Sequence, residues 1–411
     1  MAIDVAAEIK SANAGRDPQR LQIKYHTMRD SPFAFLRGTC ALFYARLPRG
    51  GIFKAAPAVW ACGDLHLENF GSYKADNRLT YFDINDFDES ALAPASWDLV
   101  RLLASLSIGG NALGASNARA RQLCQVLLDA YSASLASEKA YWVERDTATG
   151  LTRHLLDDLR DRKRPAFLDS RTVVRGAKRV LRADGEKAFP ASGRERALVA
   201  DFMRAFAKAQ PNPEFYRFID VARRIAGTGS LGVERYVILV RGNGSPDANH
   251  LLDLKLARPS ALAGRLKLAQ PRWKTEAHRI VELQQRTQAA PMAFLQPVVM
   301  GERAYVLRGL QPSEDRVRLE RSTAEELEQT IASMGRIVAW SQLRSSGRQG
   351  SAIADELVDF GRRKKWKAEL LDASQECAAQ VRKDVATYNA AWDDGAFPLP
   401  DASAAPRRSR P

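Results

Sequence analysis

Cysteine is scarce in this 411-residue chain. Its four copies, Cys40, Cys62, Cys124 and Cys377, are scattered with no C-x-x-C pair. That spacing excludes a disulfide framework and a zinc knuckle, and buried free thiols are the expectation. Long apolar runs are absent as well, so no segment is expected to cross a bilayer. The opening stretch, MAIDVAAEIKSANAGRD, lacks the basic-then-apolar layout of a secretory signal. The chain therefore reads as cytoplasmic, with no membrane partner.

Positive charge is what the chain has in excess, at a formal +14. Such a balance suits nucleic acid, an anionic surface or a phosphorylated ligand. The clusters at residues 160–164 and 362–367 are short and have few aromatics among them, so each reads as a solvated helix face. Nucleic acid is not an expected partner. The length suits two or three compact units, and 45% hydrophobic residues suffice for large cores.

Residues 17–47 read as helical, with Ser31-Pro32 as a helix start. AAPAVWACGD reads as a buried strand running into a polar loop. LENFGSYKADNRLTYFDIND then reads as a β-hairpin turning at Ala75-Asp76-Asn77. A helix opens at Pro94, and the pattern stays helical to about residue 210, with breaks at Gly150, Pro165 and Pro190. Residues 213–312 change texture: strands alternate with glycine-rich turns around one helix, EAHRIVELQQRTQ. After Ser322-Thr323 the chain is helical again. The expected divisions are 1–212, a helical lobe; 213–312, a small β-rich lobe; 313–400, helices completing the first lobe; and 401–411, a disordered tail.

CGDLHLEN is the most informative stretch. Phosphoryl transfer needs a carboxylate to orient and deprotonate the acceptor hydroxyl, and oxygen ligands for Mg²⁺ on the phosphates. Kinases keep both on one loop as D-x-x-x-x-N, and Asp64 and Asn69 have that spacing. The form G-D-L-H-x-x-N resembles the catalytic loop of aminoglycoside and choline kinases. The hairpin leads on to FDINDFDE, where a second metal-binding Asp belongs. Asp83 and Asp86 are both candidates. Asp86 is preferred because Asp86-Phe87 is followed by Trp97-Asp98-Leu99, with Asp98 expected to hold the loop by hydrogen bonds.

Gly227, Gly229 and Gly232 fit G-x-G-x-x-G. The following VERYVILV has no helical period, so the motif reads as strand–glycine loop–strand over ATP phosphates, not as a dinucleotide site. Lys255, on the strand after the next turn, stands where a kinase keeps its phosphate-gripping Lys. Its acidic partner is sought on the following helix, with Glu282 preferred and Glu276 second.

These elements run in reverse order, since Asp64 and Asn69 precede Gly227 and Lys255. A circular permutation accounts for it. The expected fold is α+β: a two-lobed protein-kinase-like fold with its elements in circularly permuted order.

The segments SPFAFLRG, CGDLHLENFG, FDINDFDES, WDLVRLLAS, RRIAGTGSLG and RIVELQQRTQ together resemble the bacterial family called domain of unknown function 2252, over about residues 20–360. That family resembles the protein-kinase-like superfamily. The resemblance implies the fold, and by analogy a phosphotransferase using ATP and Mg²⁺ on an unidentified acceptor, a small molecule or a protein. Asp64-Leu65-His66 also fits the D-x-H opening of a metallophosphoesterase. The downstream G-D-x-x-D-R and G-N-H elements of that class do not occur, and His66 reads as a loop brace. A non-catalytic nucleotide-binding module is the other alternative. Arg37 reads as either a phosphate contact or an internal ion pair, with preference for the pair.

Overall fold

The computed structural model describes residues 3–112 and 115–397, so the tail at 401–411 lies outside the described residues. The architecture is mixed α+β, 48% helix and 18% strand, which agrees with the class read from the sequence.

Six strands form one antiparallel sheet. In spatial order they are Gln296–Met300, Arg303–Leu310, Ala248–Leu256, Arg235–Gly244, Phe218–Arg224 and Ala188–Pro190. Five of them were expected between residues 213 and 312. The sixth, together with a hairpin of Thr172–Arg175 and Lys178–Leu181, corrects the all-helical reading of residues 150–210. The cause lies in TVVRGAKRVL. β-Branched residues flank a turn at Gly176, whose φ of +60° suits a hairpin and not a helix. Pro190 is tolerated because its strand is at the sheet edge.

Side chains alternate between the two faces of a strand. Tyr236, Ile238, Val240, Leu252 and Leu254 share one face and pack against Val199 and Met203 of the helix Gly193–Lys208. On the other face Val237, Leu239 and Leu251 pack against Leu168 and Leu181. Further along that second face the apolar residues give way to Arg235, Asp253 and Lys255. A half-covered sheet face ending in charge is what forms one wall of the cleft described below.

The helical remainder opposes that wall. The helical stretch expected at 17–47 is three helices, Pro18–Asp30, Pro32–Gly38 and Cys40–Arg46. Ser31 caps the second, its hydroxyl accepting from Ala34 N at 3.1 Å, as its place before Pro32 predicts. Asn117–Ala136 and Ala324–Ser345 form the main helix pair. The former buries Leu123, Leu127, Leu128, Tyr131 and Leu135, an i, i+4 stripe. Tyr131 donates to Gln342 Oε1 at 2.6 Å across the pair. All four cysteines are free thiols. Among the described residues no helix is long and apolar enough to cross a membrane.

Candidate functional site

The strand Ala58–Ala61 pairs with Ala91–Pro94 and delivers the chain into a loop at 62–66. Gly63 turns that loop at φ +85°, and a Cβ there would lie 2.0 Å from Glu89 O. Asp98, on the helix Ala95–Ala112, accepts from Cys62 N at 2.8 Å and Gly63 N at 3.0 Å. It braces the loop as its sequence position suggested. Burial pushes its carboxyl up to about 6, against those two hydrogen bonds.

One helical turn further, Arg101 has no exposed surface. Its Nε donates to Asp64 Oδ1 at 2.8 Å, and its Nη2 donates to the same oxygen and to Leu36 O. The guanidinium stacks 4.8 Å from the Phe43 ring. Sequence reasoning gave Arg101 no role. The signal was its i+3 spacing from Asp98, which puts both side chains on one helix face. Burial raises the Asp64 carboxyl above its ordinary range despite Arg101. Oδ2 looks toward the glycine loop, where a Cβ on Gly229 would be 3.5 Å away.

Asn69 donates from Nδ2 to Asp64 O at 2.5 Å, and its own carbonyl accepts from Asn85 N at 2.8 Å. The hairpin of Phe70–Lys74 and Thr80–Ile84 follows, as expected. It separates the two candidate acids. Asp83 turns away from the cleft, its Oδ2 accepting from Ala289 N at 3.0 Å and from Arg344 at 3.4 Å. Asp83 as a metal ligand is thus corrected: strand alternation gives it a bracing position. Asp86, beyond the strand end, lines the cleft. Burial pushes its carboxyl up, but Lys255, the Asp88 N–H, Arg235 and Arg308 outweigh burial and hold it below the ordinary value.

The glycine loop joins Phe218–Arg224 to Arg235–Gly244 and lies over Asp64. The N-terminal segment clamps it. Arg16 Nη1 donates to Gly229 O at 2.7 Å and Leu231 O at 2.9 Å, and Lys24 Nζ to Gly229 O at 3.1 Å. Gly232 belongs to that clamp and not to the cleft, since a Cβ there would meet Arg16 Cβ at 2.9 Å.

Lys255 faces the cleft but its partner is Asp88. Glu282 is exposed and its nearest cation is Arg286, at 3.9 Å. Glu276 pairs with Arg279 at 2.6 Å. The assignment of Glu282 to Lys255 is therefore corrected. Helix phase explains it: Ile280 and Gln284 face Lys255, and a residue two beyond Ile280 lies about 200° around the helix.

These groups border three neighbouring cavities. One of about 690 Å³ is lined by Asn69, Asp86, Gly227, Arg224 and Arg308. Another of about 250 Å³ holds Asp64, Asp88, Glu89, Gly229 and Arg16. A recess of about 60 Å³ holds Asn85, Lys255 and Asp253. Asp86 borders all three. Asp64, Asn69, Asp86, Gly227, Gly229 and Lys255, spread over nearly two hundred residues, thus meet in one cleft.

His66 is buried, and its Nδ1 accepts from Glu68 N at 3.2 Å, a loop brace. Arg37 pairs with Glu68 at 2.8 Å, the internal ion pair preferred from sequence. Among the described residues no three His, Cys, Asp or Glu side chains gather as a metal cage. Asn69 and Asp86 offer two oxygen donors, which suits an ion shared with a ligand's phosphates.

The family model described as an uncharacterized protein conserved in bacteria, DUF2252, matches residues 16–391. The chain belongs to this family. No curated protein and no solved structure matches it. The match takes in the clamp, both loops and the cleft of this DUF2252 chain.

Two outcomes follow from the geometry. Gly63→Ala should cost on the order of 2–4 kcal/mol, because the new Cβ meets backbone at a strained φ. Urea unfolding measures it, and a loss under 1 kcal/mol would show that the loop shifts freely. The second concerns Glu89, whose carboxyl burial, with Asp64 and Asp88, pushes up from 4.5 to about 7. The folded state then holds a proton that the unfolded state releases. The stability this gives is fully present below about pH 4.5 and is lost as pH rises through about 7, up to roughly 3 kcal/mol. Glu89→Gln should flatten that fall between pH 5 and 8. Parallel stability–pH curves for parent and variant would refute the assignment.

Proposed function

We propose that the chain is a kinase-like phosphotransferase using ATP and Mg²⁺, its two lobes built from circularly permuted elements. One observation carries the reading: the glycine loop, Lys255, Asp64, Asn69 and Asp86 converge on a single cleft although the chain supplies them in reverse order. The sequence strand, glycine loop, strand, turn, Lys-bearing strand, helix, strand, strand between Phe218 and Leu310 is the order of a kinase nucleotide lobe. The segment from Gln311 that leaves its last strand lines the 690 Å³ cavity.

In this reading the large cavity takes the nucleotide and the 250 Å³ cavity the acceptor. Asp64 holds the acceptor hydroxyl through Oδ2 and takes its proton as the acceptor oxygen bonds to the γ-phosphorus and the bond from that phosphorus to the β–γ bridging oxygen breaks, releasing ADP, while Arg101 fixes Oδ1. Asn69 and Asp86 would hold Mg²⁺, and the ion would supply neutralisation of charge on the phosphates. Lys255 contacts phosphate in place of Asp88. The helix acid usual in kinases has no counterpart here, and Asp88 occupies the position of partner to the Lys. The phosphoesterase alternative is disfavoured because His66 is turned into the protein by its own hydrogen bond and does not face the cleft with Asp64.

ATP should raise the melting temperature in the presence of Mg²⁺, by mass action on the native state. Asp86→Ala should abolish the Mg²⁺-dependent part, and Asp83→Ala should not. Asp64→Asn should lower Mg²⁺-dependent ATP turnover about a hundred- to ten-thousand-fold while ATP still binds. Because that variant leaves Arg101 buried against a neutral amide, it should also lose about 3–5 kcal/mol of stability. Turnover is therefore compared well below its melting point. Full turnover by Asp64→Asn removes Asp64 as the base, and absence of any ATP-induced shift in the parent removes the nucleotide reading.

A further inference from the structure

Where a kinase lays a flat, largely apolar base, the wall of the large cavity here is charged. Asp253 is two residues before Lys255 on the same strand face, opposite Arg308 on the neighbouring strand. Its carboxylate is completely buried. Oδ1 accepts from Arg235 Nε at 2.8 Å. Oδ2 is approached by three guanidinium groups, Arg235 at 2.5 Å, Arg224 at 2.6 Å and Arg308 at 3.1 Å.

One carboxylate oxygen has two lone pairs, and three arginines exceed them. Arg235 and Arg308 make hydrogen bonds to it. Arg224 Nη1 is buried within ion-pair distance yet makes no hydrogen bond. Glu314, the next acid, is 3.4 Å from Arg308 and so serves that residue. Burial pulls Arg224 down to about 10, the direction expected of a cation with too little counter-charge. The side chain lines the large cavity beside Gly227 and Ser230 of the glycine loop. A planar guanidinium with spare donors at a cavity wall fits a phosphate oxygen better than any base edge.

We propose that the wall around Arg224 is an oxyanion subsite that takes a phosphate of the ligand, so that ligands are held there by their polyphosphate and not by their base. The proposal deepens the nucleotide reading and rests on its placing of phosphates in this cavity. It also explains why Asp253 is retained: without it Arg235 and Arg308 would repel each other, and with it one arginine is left over.

The test is calorimetric binding of inorganic triphosphate, ATP and adenosine, each with Mg²⁺, to the full chain and to Arg224→Met. Triphosphate and ATP should bind the parent and adenosine should not. Arg224→Met should weaken both polyphosphates about tenfold or more, the usual effect of losing a charged hydrogen bond. It should melt no lower than the parent when no ligand is present, because Asp253 keeps its two hydrogen-bonded arginines. Should that variant fail to fold, Arg224→Gln carries the same comparison. Equal affinity of parent and variant for ATP overturns the subsite and leaves the nucleotide reading standing. Triphosphate binding that needs Arg224, with no ATP binding, supports the subsite and overturns the nucleotide reading. Adenosine binding as tightly as ATP, or no binding of triphosphate, overturns the subsite.

Discussion

The buried pair of Arg101 and Asp64 is the contact on which the cleft depends. Taking a guanidinium wholly out of water costs several kcal/mol, and only a well-placed anion and further hydrogen bonds offset it. Here the anion is Asp64, the further acceptor is Leu36 O, and the covering faces are Phe43 and Tyr44. Those partners belong to three separate segments, the loop at 62–66 and the helices Pro32–Gly38 and Cys40–Arg46, and Arg101 ties them to its own helix, Ala95–Ala112. None can drift without stranding the charge. The same pair fixes one oxygen of Asp64 and leaves the other directed at the glycine loop. A carboxylate held at one oxygen and pushed up by burial keeps both its position and its affinity for a proton.

The opposite wall is fixed by a different device. A glycine loop is intrinsically mobile, because glycine loses more conformational freedom on ordering than any other residue. Arg16 and Lys24 tie two of its carbonyl oxygens, and Asp17 N reaches Gly232 O at 2.7 Å. Carbonyl oxygens are the groups on such a loop that would repel a phosphate. Holding them on the Arg16 and Lys24 cations offsets that repulsion. It also couples the glycine loop to the helix Pro18–Asp30, whose successor Pro32–Gly38 supplies Leu36 to Arg101. Both walls are thus referred to one N-terminal helical run.

Much of this was legible in the chain itself, where the chemistry is local. Asp64 and Asn69 are five residues apart on one loop. The glycines lie between strands whose β-branched residues declare them, and Lys255 follows on the next strand. Asp98 was recoverable from its helix position, and Arg101 was too, had its i+3 spacing been followed. Glu282 was misassigned although the stripe of Ala277, Ile280, Gln284 and Thr287 already put it on the far side of its helix. Asp83 fell to strand alternation. What could not be read is what depends on register between distant strands. Arg224, Arg235, Asp253 and Arg308 meet only because three strand pairings bring them together. Nothing in the spacing of those residues along the chain encodes it. The Lys255–Asp88 pair, which joins the sheet to the segment after the hairpin, is hidden for the same reason.

Charge in this cleft is nearly all matched internally: Arg101 with Asp64, Lys255 with Asp88, Arg235 and Arg308 with Asp253, Arg37 with Glu68. That matching bears on how such a site could bind a polyanion. An unpaired lysine or arginine in a closed recess would destabilise the fold before any ligand arrived. A paired one does not, and a phosphate that displaces a carboxylate exchanges one anion for another, so little new desolvation is incurred at the cation. Binding energy then comes from the places where the match is incomplete, and from the better fit of a tetrahedral anion to a planar fork. Lys255 and Arg224 differ in this respect. The first is paired with Asp88 and, in the proposed reading, would have to give it up to meet a ligand, so it would gain little and act mainly to orient. The second has donors to spare and, in the proposed subsite, would gain the full contact. The physical asymmetry between them sets which of the two should dominate affinity, even though sequence motifs alone would name Lys255.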